Sequence, residues 1–121
     1  MQYKCTIIDD EPLAQEILEG YIKRIDFLEL VTKTDSLQRV EDLVAAGDVD
    51  VVFLDINIRG TQRKSINRLL DRKCHFIIVT AYPLSFIEDI QLKTAHGYLS
   101  KPASFKDFLR EIQRVLNVRF Q

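Results

Sequence analysis

Residues 51–55 read Val51-Val52-Phe53-Leu54-Asp55, and this stretch decides the fold. Four consecutive β-favouring apolar residues do not fit a half-exposed strand, whose side chains alternate between core and water. They fit a strand covered on both faces, as in a parallel sheet packed between helices. Phe76-Ile77-Ile78-Val79 repeats the pattern. Outward from these two, apolar runs at Tyr3–Ile8, Leu28–Thr34 and Tyr98–Ser100 bring the expected strands to five. Helical spacing fills the gaps. Leu13, Ile17, Tyr21 and Ile25 recur every four residues; Leu37, Val40, Leu43 and Val44 follow, ending at Gly47, a helix-stop residue. Ile66, Leu69 and Leu70 mark a third helix, and Pro83 suits the first turn of a fourth carrying Phe86, Ile87 and Ile90. Ser104 and Asp107 form a capping box before Phe105, Phe108, Leu109, Ile112, Val115 and Leu116 of the last helix.

The alternation is a strand–helix unit repeated five times, which predicts an α/β fold: an open, doubly wound, parallel five-stranded sheet of flavodoxin-like order 2-1-3-4-5. The 121 residues fit one domain spanning 1–121. In such sheets the site lies beyond the carboxyl ends of the strands, where strands 1 and 3 diverge.

The totals narrow the function. The net charge of −1 is split between −7 for residues 1–60 and +6 for residues 61–121. The whole chain is thus not basic enough to suggest nucleic acid. Arg59, Arg63, Lys64, Arg68, Arg72 and Lys73 form a local basic run, read as a solvated helix face or a docking surface for an acidic partner. Cys5 and Cys74 stand alone without a Cys-x-x-Cys pair, so zinc and redox chemistry are set aside. No window reaches ~18 uninterrupted apolar residues, and the N-terminus runs straight into a strand pattern, which argues for the cytoplasm and against a membrane.

The residues at the strand ends carry the chemistry. Strand 1 ends in Asp9-Asp10-Glu11, strand 3 in Asp55, strand 4 in Thr80 and strand 5 in Lys101. Each alone reads as a turn former, a structural hydroxyl or a solvated amine. Together they place acids, a hydroxyl and an amine at one sheet edge. Carboxylates ~4 Å apart repel by roughly 1 kcal/mol per pair in water and ~4 kcal/mol at an effective dielectric of ~20. A cation relieves this, and oxygen-only ligands favour Mg²⁺, Ca²⁺ or Mn²⁺ over zinc or copper. A carboxylate can also attack phosphorus, if the equatorial oxygens are neutralised by a metal, Lys101 and the Thr80 hydroxyl or backbone N–H groups. Ala81 is small enough to leave an approach path. The Asp-Asp-Glu-Pro turn after strand 1 repels anions, against a nucleotide or flavin site. His75 and His96 fall at strand starts, the wrong end for a hydrolase triad.

In Ile-Ile-Asp-Asp-Glu-Pro (7–12), Val-Phe-Leu-Asp-Ile-Asn (52–57), Ile-Val-Thr-Ala-Tyr (78–82) and Tyr-Leu-Ser-Lys-Pro (98–102), the sequence resembles the response-regulator receiver family over essentially its whole length. It looks most like receivers that precede a LytTR-type DNA-binding domain. The resemblance implies Asp55 as phosphoacceptor, Asp10 as a direct Mg²⁺ (or Mn²⁺) ligand, Asp9 as a ligand through water and the Asn57 carbonyl as another. It implies Thr80 and Lys101 as partners of the phosphoryl group, Tyr98 as the switch aromatic, and a cis Lys101–Pro102 bond. It further implies a sensor histidine kinase as donor, slow autodephosphorylation, homodimerisation through the face of the fourth helix, fifth strand and fifth helix, and a DNA-binding output domain outside this chain. One stretch departs from the family: Arg59 and Arg63 replace its usual Pro and Gly after the acceptor. The alternative reading is a pseudo-receiver, an interaction module not regulated by phosphorylation. An aspartyl phosphatase fits less well, because Asn57 stands where its second Asp belongs.

Overall fold

The computed structural model describes residues 2–119, so residues 1, 120 and 121 of the expected domain lie outside the described residues. Five strands, β1 (Tyr3–Ile8), β2 (Leu28–Thr34), β3 (Val51–Leu54), β4 (His75–Thr80) and β5 (Gly97–Ser100), form one parallel sheet of order β2-β1-β3-β4-β5. Four α-helices connect or follow them: α1 (Pro12–Lys23), α2 (Leu37–Ala45), α3 (Arg63–Leu70) and α4 (Phe105–Leu116). The expected strand order is the observed one.

Burial explains why β3 is apolar throughout. Cys5, Ile7, Phe53, Ile77 and Leu99 face α1 and α4, meeting Leu18, Ile22, Phe108 and Ile112. The alternate residues Ile8, Val52, Leu54, Phe76 and Ile78 face the other way, onto Val40 of α2 and Ile66, Leu69 and Leu70 of α3. Every residue of β3 is therefore core. The first face is locked by aromatic contacts: Phe53 stacks on Phe108 at 5.3 Å between centroids, and Tyr21 lies 5.4 Å from both Phe105 and Phe108. The helix α2 stops as its sequence foretells, with Gly47 at φ +74° and its N–H donating to the Val44 carbonyl.

Two expectations are corrected. The expected stripe Leu13, Ile17, Tyr21 and Ile25 does not all turn inward. Ile25, just past α1, is buried and Tyr21 half-buried, whereas Leu13 and Ile17 are exposed and line a groove of about 280 Å³ beside Ala81, Pro102 and Ala103. The buried face of the helix is carried by Leu18 and Ile22, which the spacing does not single out. Also, among the described residues no α-helix begins at Pro83, between β4 and β5. Its place is taken by a single 3₁₀ turn at Leu84–Phe86 and irregular chain up to His96. Side chains from neighbouring helices satisfy the backbone that a helix would have satisfied internally. The Asn67 amide donates to the Asp89 carbonyl at 2.9 Å and accepts the Gln91 N–H at 2.7 Å. Arg114 donates to the Thr94 and His96 carbonyls at 2.9 and 2.8 Å. Ile87 and Ile90 still reach the core, which explains why their spacing resembled a helix face. The face expected from a fourth helix, strand 5 and a fifth helix is thus built from residues 84–96, β5 and α4.

Helix α4 lies close against β5 at Gly97, where a Cβ would come within 2.8 Å of Ile77 Cγ1 and 2.9 Å of Val115 Cγ2. Gly97→Ala should therefore destabilise the domain by about 1–3 kcal/mol in urea unfolding. Gly20→Ala, inside α1 with nothing within 4 Å of the new methyl, should stabilise by about 0.5–1 kcal/mol. Equal effects at the two positions would contradict this packing.

Candidate functional site

Strand register assembles the pocket. Ile8 pairs with Leu54, so the next residues, Asp9 and Asp55, leave the sheet side by side, and the Asp55 N–H donates to the Ile8 carbonyl at 2.9 Å. At the other side the Lys101 N–H donates to the Thr80 carbonyl at 2.8 Å, bringing the end of β5 onto β4. The peptide bond that follows, Lys101–Pro102, is cis.

The Lys101 ammonium stands among three carboxylates. Its Nζ lies 2.7 Å from Asp9 Oδ2, 2.8 Å from Glu11 Oε1 and 3.2 Å from Asp55 Oδ2. The contact to Asp9 is an ion pair not aligned as a hydrogen bond; the other two are hydrogen bonds. Asp9 and Asp55 are 1% and 3% exposed. Backbone N–H groups take their second oxygens: Glu11 donates to Asp9 Oδ1 and Asn57 to Asp55 Oδ1, each at 2.9 Å. Asp10 Oδ2 accepts a longer bond, 3.4 Å, from the Arg59 N–H. Arg59 sits in a turn closed by the Thr61 N–H on the Ile58 carbonyl, with Gly60 at φ +77°, so the chain bends there without the family's proline.

Asp9, Asp10, Glu11 and Asp55 each bring an oxygen within 4.8 Å of the others. Four carboxylates against one ammonium leave about three negative charges uncompensated. At that spacing each repulsion costs roughly 3–4 kcal/mol at an effective dielectric of ~20. A hard divalent cation fits this all-oxygen donor set. The titrations reflect the crowding. Burial pushes the Asp55 carboxyl above its ordinary value, an effect reinforced by Asp9 and only partly offset by the Asn57 N–H and Lys101. For Lys101 burial works downward, but the close carboxylates of Asp9 and Glu11 and the charge of Asp55 outweigh it and hold the amine firmly protonated.

Thr80, Asn57 and Tyr98 form a second set beside the ion pairs. The buried Thr80 hydroxyl accepts the Tyr82 N–H at 3.2 Å, and the Tyr82 hydroxyl accepts from the Asn57 amide at 3.1 Å. The Tyr98 hydroxyl donates to the Tyr82 carbonyl at 2.7 Å. Tyr82 thereby touches all three. Sequence reasoning gave no role to Tyr82, although it closes the quoted 78–82 motif, nor to Glu11, although it sits in the acidic triplet. It also missed Gln15, whose amide donates to the carbonyls of Asp9 and Thr34 and fixes the start of the acidic loop.

A doubly wound sheet with this acidic edge defines a receiver domain of a two-component response regulator. The model of the family described as "Response regulator receiver domain" matches residues 5–113, and the chain belongs to that family. It is similar to the sensory transduction protein LytR of Staphylococcus saprophyticus, with 26% identity over 115 residues, covering 93% of this chain and 45% of that protein. The chain thus spans less than half of that relative's length. Among solved structures it resembles the response regulatory domain of protein mrkE from Klebsiella pneumoniae (25% identity, TM-score 0.73, covering 94% and 95% of the two chains). The isolated REC domain of RcsB from Salmonella enterica serovar Typhimurium, solved with the phosphomimetic BeF3-, shares the fold at 15% identity, TM-score 0.79 and 99% and 93% coverage.

Because the Asp55 carboxyl is held above its ordinary 3.8, the folded chain binds that proton more tightly than the unfolded chain. The stability linked to it is complete at low pH and lost as pH rises through the raised folded value. In chelator-treated protein, Asp55→Asn should therefore be more stable than wild type at pH 7, by on the order of 1 kcal/mol. The gain should fade as pH falls below the ordinary carboxylate range. A destabilised Asp55→Asn at pH 7 would show that Lys101 outweighs burial.

Proposed function

We propose that Asp55 accepts a phosphoryl group and that the domain passes this event to an output. The observation that supports it most is the Lys101 ammonium bonded to a buried Asp55 within a pocket of four clustered carboxylates. One Asp55 carboxylate oxygen attacks phosphorus, forming the O–P bond of an acyl phosphate. The P–N bond of a phosphohistidine on a sensor histidine kinase, or the P–O bond of a small donor such as acetyl phosphate, breaks as the donor leaves. Asp10, Asp55 and the Asn57 carbonyl would hold Mg²⁺ or Mn²⁺, with Asp9 reached through water. When bound, the cation neutralises charge on the incoming group.

Lys101 is already charged and lies beside Asp55, where its ammonium can pair with a phosphoryl oxygen. The Asn57 N–H fixes the orientation of the Asp55 carboxylate. The Thr80 hydroxyl can donate its proton to a phosphoryl oxygen. Modification replaces a single negative charge with nearly two and adds three strong acceptors. Drawing Thr80 toward them strains its contact with the Tyr82 N–H, and Tyr82 also carries the Tyr98 hydroxyl bond. Tyr98 is thus the switch aromatic, and residues 84–96, β5 and α4 form the face that changes. That face serves homodimerisation or contact with an output domain, a DNA-binding one outside this chain, in the cytoplasm. Water slowly removes the phosphoryl group. Among the described residues, no helix is long and apolar enough to cross a membrane.

The irregular 84–96 segment favours a second reading, an interaction module in which the pocket is kept but not phosphorylated. Labelling separates the two. Incubation with radiolabelled acetyl phosphate and Mg²⁺ should give an acid-labile adduct that is lost on chelation and absent from Asp55→Asn. Label retained by Asp55→Asn would remove Asp55 from the role, and an unlabelled wild type would favour the module.

A further inference from the structure

Glu11 breaks a local rule. It is the N-cap of α1, a position where short polar side chains accept an N–H of the first turn. Ser36 and Ser104 do this for α2 and α4, accepting from Arg39 and Asp107 at 3.2 and 3.1 Å. Glu11 makes no such bond. Its backbone is fixed on both sides, the N–H by Asp9 Oδ1 and the carbonyl by the Gln15 N–H at 3.1 Å. Its side chain, 65% exposed and free to be hydrated, instead reaches Lys101 Nζ at 2.8 Å. Local rules broken in this way mark sites where another demand wins.

The three partners of Lys101 differ in what becomes of them. Asp55 is modified, and Asp9 belongs to the buried cation-holding set. Glu11 is the one of the three left largely in water, 65% exposed against 1% and 3% for Asp9 and Asp55, so it can exchange the ammonium for hydration at the least cost. We propose that Glu11 is a positioning residue: it holds the Lys101 ammonium at the rim of the pocket in the unmodified protein, and its release is required for Lys101 to pair with the phosphoryl group. This rests on the phosphoacceptor reading of Asp55. Glu11 thereby ties the start of α1 to the state of the pocket, a connection independent of Thr80 and Tyr98.

The test is a titration with beryllofluoride at saturating Mg²⁺, followed by the amide NMR signals of Thr80 and Tyr98. Glu11→Gln should bind about two- to five-fold more tightly than wild type, the scale set by a partly exposed ion pair. In a Lys101→Met background the same substitution should change nothing. Should Lys101→Met not fold, Glu11→Asp keeps the charge but falls about 1.5 Å short of the ammonium. It should then behave like Gln. In the protein without additives, the Lys101 Nζ resonance should move on Glu11→Gln. An unmoved resonance, unchanged affinity in Glu11→Gln, or an equal gain with and without Lys101 overturns the proposal while leaving Asp55 in its role. A wild-type chain that takes up no beryllofluoride overturns both.

Discussion

Repulsion among four carboxylates at one sheet edge is the constraint on which the rest of the structure depends. Asp9 and Asp55 cannot relax apart, because each follows directly on a paired, fully buried strand residue, Ile8 and Leu54. Nor can they hydrate freely, being almost wholly buried. One ammonium and several backbone N–H groups relieve part of the stress, and the remainder has to be carried by packing elsewhere. The apolar character of β3 is the counterpart of the acidity at its end. A strand with polar residues on one face would bury less area and hold its terminal aspartate less rigidly.

The two faces of the sheet do not carry this load equally. Against α1 and α4 the contacts are aromatic and continuous, from Phe53 through Phe108 to Tyr21 and Phe105. On the other face, α2 and α3 cover β1 and β3, but the chain after β4 is irregular and held by the polar side chains of Asn67 and Arg114. Backbone bonds carried by side chains at the surface are a feature of segments that open locally at low cost, although Ile87 and Ile90 anchor this one in the core. Tyr82 begins that segment and is bonded to Thr80, Asn57 and Tyr98. The part of the fold tied most directly to the pocket on this side is thus also its least regular part.

What was legible in the sequence, and what was not, follows from the range of the interactions. The runs at 51–54 and 76–79 gave the parallel sheet, since burial on both faces leaves its mark in consecutive residues. Asp9, Asp10, Asp55, Thr80 and Lys101 could be placed at one edge because strand ends are read from the same runs. Sequence spacing failed where a distant polar side chain decides the outcome. Ile87 and Ile90 have helical spacing, yet Asn67, more than twenty residues earlier, takes the backbone groups of Asp89 and Gln91. Leu13 and Ile17 continue the period of α1 but lie beyond the edge of the core, exposed above the groove. The roles of Glu11 and Tyr82 depend on contacts to Lys101 and Asn57 across the sheet edge, which local pattern does not encode.

The same charge excess that strains the pocket makes it responsive. Lys101 has more carboxylates around it than an ammonium can satisfy equally, so its position is a compromise and not a fixed bond. Each partner added to or removed from the pocket changes that compromise by an amount comparable to a single ion pair. A fully neutralised pocket would be more stable and would have no such freedom. Binding of any cation to the carboxylates acts only on the folded chain, since the unfolded chain scatters them, and so stabilises the fold by mass action. Stability and cation occupancy are therefore linked through one set of oxygen atoms. The buried apolar strands keep those oxygens together, while Lys101, Glu11 and Tyr82 meet the pocket from outside the sheet through polar contacts.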